Sequence, residues 1–106
     1  MGLVGSVAKD AGICIYGEDP IELISTNDMP KFLEAIRKNS DYLILGLEGF
    51  KIFKDKIVPD MDAIADFSAL LASDDSATTV QAAYKFLSAV MNKDLFFYLT
   101  LHPRHI

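Results

Sequence analysis

Three aspartates, Asp60, Asp62 and Asp66, lie close together in the stretch PDMDAIAD. If that stretch is helical, their spacing could let them share a hard cation such as Mg²⁺. A phosphate enzyme built on them would also need a loop to cradle the phosphates, and no glycine-rich P-loop pattern is present. The same spacing suits a helix cap at Asp60 followed by a solvated acidic face. The other reactive side chains form no set. His102 and His105 make an H-x-x-H pair interrupted by Pro103, which disfavours a helical metal site, so a mobile tail is expected. No further histidine exists to act as acid or base elsewhere. Cys14 falls in the apolar run GICIY without a basic neighbour and is expected to be an inert core thiol. None of the serines stands in a G-x-S-x-G elbow. These residues predict a non-enzyme with no cofactor and no bound metal.

The more suggestive carboxylate is Glu48, in the segment GLEGF between Gly46 and Gly49 at the end of an apolar run. A charge there either faces solvent or is met by local backbone amides, and the glycines predict a bulge. With Glu48 exposed, it would join Asp55, Asp60, Asp62 and Asp66 in one acidic edge. That edge is the expected partner-binding surface, with Asp74 and Asp75 as a second choice. The net charge of -5 is uneven: residues 18–29 and 60–75 hold four and five carboxylates with no lysine or arginine. Such a surface repels nucleic acid and anionic membrane and attracts a basic protein.

Positioning these side chains falls to an alternation of strands and helices. Residues 12–16 read as a buried strand, and 21–24 as the return arm of a hairpin across Gly17-Glu18-Asp19-Pro20. Met29, Phe32, Leu33 and Ile36 repeat at helical spacing after the cap candidates of 25–28, with Glu34 and Lys38 able to pair on the outer face. Residues 42–47 are apolar on both faces, as in a central strand. Residues 50–53 and 56–58 flank Lys54-Asp55 as a hairpin that Pro59 stops. From Asp60, the residues Ala63, Ile64, Phe67, Leu70 and Leu71 predict a second helix. Val80, Ala83, Tyr84, Leu87 and Val90 predict a third. Residues 95–101 end the pattern as a strand with Leu95, Phe97, Leu99 and Leu101 on one face. The expected architecture is α+β: a mixed β-sheet of about four to six strands packed by three α-helices.

At 106 residues, half of them hydrophobic, the chain supports a single globular domain over 1–106. One cysteine excludes an internal disulfide and fits a cytoplasmic location. No apolar run is long enough for a membrane span. Met1-Gly2 with Ser6 matches the loose myristoylation pattern without a second anchor, so a frayed N-terminus is expected instead.

Three segments together resemble small immunity proteins encoded beside bacterial polymorphic and contact-dependent growth inhibition toxins. They are Gly17-Glu18-Asp19-Pro20-Ile21-Glu22, the run from Asp41 to Phe50, and the run from Pro59 to Phe67. The likeness is one of strand, glycine break and capped helix. It implies a bacterial, non-catalytic toxin inhibitor that binds a cognate toxin domain, often a nuclease; such a chain is expected to be a monomer when free. Two alternatives remain. One is a structural or regulatory domain, homodimeric through the apolar strand 95–101. The other is a Mg²⁺-dependent phosphate enzyme using Asp60, Asp62 and Asp66.

Overall fold

The computed structural model describes residues 2–18, 21–39, 42–67, 76–90 and 94–103. The chain begins with helix α1 (Leu3–Asp10), strands β1 (Tyr16–Glu18) and β2 (Ile21–Ser25), and one turn of 3₁₀ helix (Thr26–Asp28). Helix α2 (Met29–Asn39), strands β3 (Tyr42–Phe53) and β4 (Lys56–Asp66), helix α3 (Ser76–Val90) and strand β5 (Phe96–Pro103) follow. The strands make one sheet in the order β1-β2-β5-β3-β4. The α+β class, with five strands and three helices, is as expected. Every pairing is antiparallel, however, where a mixed sheet was expected. Two of the three helices, α2 and α3, are expected ones; α1 is not.

The N-terminal residues, expected to fray, form α1. Its end explains why residues 12–14 are not strand. Gly12 sits in the left-handed region (φ +72) and its N–H donates to the Lys9 carbonyl, while the Ile13 N–H reaches back to Ala8 at 2.8 Å. That pair of bonds is a Schellman cap, with Ile13 buried beside the helix it closes. Cys14, one residue on, is exposed rather than in the core. At its other end α1 has no capping side chain of its own. The carboxylate of buried Glu22, on β2, supplies one: its Oε1 accepts from the Gly2 and Gly5 N–H groups at 3.0 and 3.1 Å.

Where the second helix was expected to begin, residues 60–66 belong instead to β4, and Leu70 and Leu71 lie outside the described residues. Lys54 and Asp55 both have positive φ (46 and 67), which is the geometry of a type I′ turn and sets β3 and β4 in register from Phe53–Lys56 onward. Pro59 does not stop the strand. β4 is the sheet edge, where a missing N–H costs little, and Pro59 lies opposite Phe50. Past it, the ladder shifts between Glu48 and Phe50 because residues 60–63 bow out of β4. The methyl of Ala63 then closes over Gly49, where any Cβ would come within 2.7 Å of it. Ala63 buried, Ile64 exposed, Ala65 half-buried and Asp66 exposed is the period of a strand.

The helices cover one face of the sheet. Ile24, Ile44, Leu47, Leu95, Phe97 and Leu99 point into a core shared with Met29, Phe32, Leu33 and Ile36 of α2, Val80, Ala83, Leu87 and Val90 of α3, and Val4, Val7 and Ala8 of α1. Each fully buried large side chain contributes roughly 1.5–3 kcal/mol. Buried polar groups tie the layers together. Thr26 Oγ1 donates to the Leu95 carbonyl at 2.8 Å and accepts from the Leu95 N–H, and Thr79 Oγ1 accepts from the Ile44 N–H. Across the helices, Tyr84 of α3 places its hydroxyl 3.0 Å from Glu34 Oε2, and Arg37 binds the same carboxylate at 2.7 Å. Glu34 thus pairs with Arg37, not with Lys38.

Candidate functional site

The helix after Pro59 was expected to gather the acidic residues. With a strand there, the seven candidates separate. Asp55 sits in the β3–β4 turn, exposed. Asp60 is buried where β4 leaves the ladder, and its Oδ1 accepts from the Asp62 N–H at 3.0 Å. That bond is the local side-chain turn a helix cap would make, used here to shape a bow in a strand. Asp62 is exposed on the bow. Asp74 and Asp75 lie outside the described residues. Among the described residues no three metal-ligating side chains converge, so the Asp60, Asp62 and Asp66 spacing does not become a cation site. His102 belongs to β5 rather than to a mobile tail, its Nδ1 at 2.7 Å from the Pro103 carbonyl oxygen, and His105 lies outside the described residues.

Two candidates do meet. Strand alternation puts Glu48 of β3 and Asp66 of β4 on the sheet face away from the helices, because their neighbours Leu47 and Ala65 pair on the helix side. Glu48 stands opposite Ile64, and Asp66 opposite Gly46. The carboxylates are therefore diagonal neighbours, with Cα atoms about 7–8 Å apart by ladder geometry. Between them Gly46 leaves a hollow. A Cβ there would lie 2.8 Å from the Ala65 carbonyl oxygen, so no side chain fills the space. The resulting shallow concavity, about 420 Å³, is lined by Gly46, Glu48, Ile64, Asp66 and Thr100 among others.

Much of the rest of that face is apolar, beside Ser25, Thr100 and His102, and the sequence reading missed it. Following the ladder pairs, it carries Tyr16, Ile21, Phe50, Ile52, Ile57, Ile64, Phe96 and Tyr98. Ile21 is 49% exposed, Ile64 44% and Tyr16 41%, and Phe50, Phe96 and Tyr98 are half-buried. Tyr16 and Phe96 meet with ring centroids 5.4 Å apart and planes tilted by 49°, linking the edge strand β1 to the central strand β5. The signal was present in LFFYLTL: Phe96 and Tyr98 alternate with the core residues, and large apolar side chains at both parities mean a strand that is apolar on both faces. Lys51 and Lys56 of the hairpin avoid this face, taking the opposite side of their strands.

The strand 95–101, proposed as a dimer edge, pairs with β3 from Phe96 onward and with β2 at Phe96 and Phe97, where it is flanked on both sides. Of the three segments that resemble immunity proteins, the first is the β1–β2 hairpin and the second is β3. The third, read as a capped helix, is the distal half of β4. No family model matches the chain, and neither a curated protein nor a solved structure matches it. Among the described residues no helix is long and apolar enough to cross a membrane.

Proposed function

We propose that this chain is a non-catalytic immunity protein that binds and neutralises a cognate bacterial toxin domain. The observation that supports it best is the composition of the sheet face away from the helices, where exposed aromatic and aliphatic side chains stand beside Glu48. A protein surface of that kind is what a stable interface needs: apolar area to bury and polar groups to fix orientation. The overall charge of -5 adds to the reading, because a toxin that handles nucleic acid is basic and would be drawn to an acidic inhibitor. The test is to take the gene beside this one, express the C-terminal domain of its product, and co-express this chain. Rescue of growth together with a stable complex of the purified pair supports the function. Toxicity unchanged by this chain, with no complex, overturns it for that pair.

A further inference from the structure

Past Phe50, where its pairing with β5 ends, β3 continues with β4 alone as a two-stranded ribbon closed by the Lys54-Asp55 turn. At about 3.3 Å per residue, this arm reaches roughly 10 Å beyond the three-stranded part of the sheet. Lys51 and residues 53–59 are all exposed, Phe53 at 65% and Val58 at 45%, so the rest of the chain buries neither side of the arm. We infer that the arm binds an extended acidic segment of a partner protein, with carboxylates two residues apart set on Lys51 and Lys56. The inference goes beyond the toxin reading and does not depend on it.

Charge and spacing select the occupant. Residues 51–56 hold Lys51, Lys54 and Lys56 against one carboxylate, Asp55, in a chain whose net charge is -5. Among the described residues none of the three lysines has an ion-pair partner. Lys54 instead places its Nζ 5.5 Å from the Phe53 ring centroid. Lys51 stands opposite Val58 and Phe53 opposite Lys56, so these four side chains share one side of the ribbon. The two lysines are diagonal neighbours, about 7–8 Å apart at Cα. Alternate residues of an extended chain point the same way and lie roughly 7 Å apart, which matches that diagonal. Phe53 and Val58 border the line between the lysines and offer apolar contact to whatever lies along it. At the end of the arm the acidic body is more than a Debye length away, about 8 Å at physiological salt, and interferes little.

Other polyanions fit less well. A lipid surface would meet the Lys54-Asp55 turn first, which puts a carboxylate rather than an apolar side chain at the interface. A phosphate backbone would answer the lysines but leave Phe53 and Val58 in water, and the acidic body opposes a long polyanion.

The peptide acetyl-Thr-Glu-Thr-Glu-Thr-amide tests this, titrated into the whole chain and followed by backbone amide NMR. Shifts that saturate and map to residues 51–58 are expected. Each lost charge pair should lower affinity roughly twofold to fivefold, the range for one exposed pair. That loss is expected for Lys51→Gln, for Lys56→Gln and for the peptide with either glutamate changed to glutamine. It is also expected for acetyl-Thr-Glu-Glu-Thr-Thr-amide, which has the same charge with its glutamates on opposite sides. Lys9→Gln, on α1, should bind as wild type does. Equal binding of the adjacent-glutamate peptide, shifts scattered over the molecule, or no shifts at all each overturn the inference. So do shifts at 51–58 that grow with protein concentration in the absence of peptide, which assign the arm to a second copy. Tighter binding of the arm to phosphatidylserine vesicles or to a short DNA duplex overturns it in favour of lipid or nucleic acid.

Discussion

At the scale of single residues, Glu34 shows how a carboxylate can clasp two helices. The Arg37 guanidinium, and next the Tyr84 hydroxyl, hold the Glu34 carboxyl down from the ordinary 4.5 to about 2. Burial and the bond to Glu34 push the Tyr84 phenol up. A carboxyl whose pKa falls on folding stabilises the fold above its unfolded value and loses that stabilisation as pH drops through the folded one. The clasp between α2 and α3 is therefore intact above about pH 4.5 and weakens toward pH 2. Urea unfolding of Glu34→Gln at a series of pH values should give a midpoint below wild type at pH 7, with the two converging as pH falls through that window. Added salt should shrink the difference at neutral pH, because the pair is exposed. A constant offset across the whole range would show that packing, not charge, is at stake. The sequence placed Glu34 on the outer helical face correctly and gave it the wrong cation. Spacing allows both the i+3 and the i+4 partner, and only the position of Tyr84 across the helix pair favours the first.

At the scale of elements, the legible parts were those where one period dominates. The α2 stripe Met29, Phe32, Leu33, Ile36 is fully buried, and the alternation of Leu95, Phe97 and Leu99 sets β5. The stretch 60–67 was misread because Asp60, Ala63, Ile64 and Phe67 satisfy a helix cap and a helical repeat as well as a strand. The hydrogen-bonding partner across the ladder decided it, and that partner is distant in sequence. Helix α1 was missed for a related reason: its eight residues are too few to hold a helix alone, and much of its support is tertiary. Glu22 is that support. Replacing it with alanine would strip the Gly2 and Gly5 N–H groups of their acceptor, at a cost of about 1–2 kcal/mol. Hydrogen exchange should then speed up in α1 well before α2 and α3, with a lower midpoint in denaturant. Unchanged protection at the Gly5 amide would mean that water or a neighbouring group caps the helix equally well.

At the scale of the molecule, three helices on one side of an antiparallel sheet leave the other side to explain itself. The exposed aromatic and aliphatic side chains of that side invite self-association, and two features oppose it: the β4 edge with its proline and bow, and the carboxylate of Glu48 set among the apolar side chains. If that charge keeps the free chain monomeric while leaving it open to a basic partner, removing it should reverse the balance. Glu48→Leu joins Phe50, Ile64 and Tyr98 into a continuous apolar patch around the hollow. Sedimentation velocity should show wild type as a monomer of 11.7 kDa across a wide concentration range, and Glu48→Leu as a species whose mass grows with concentration. Asp55→Leu, an equal change of charge and polarity at the hairpin turn, should stay monomeric because it leaves the face untouched. A wild-type dimer would mean that the face is already satisfied by its own copy. A monomeric Glu48→Leu would mean that the carboxylate is not what keeps the copies apart, and that the bowed strand and its proline suffice.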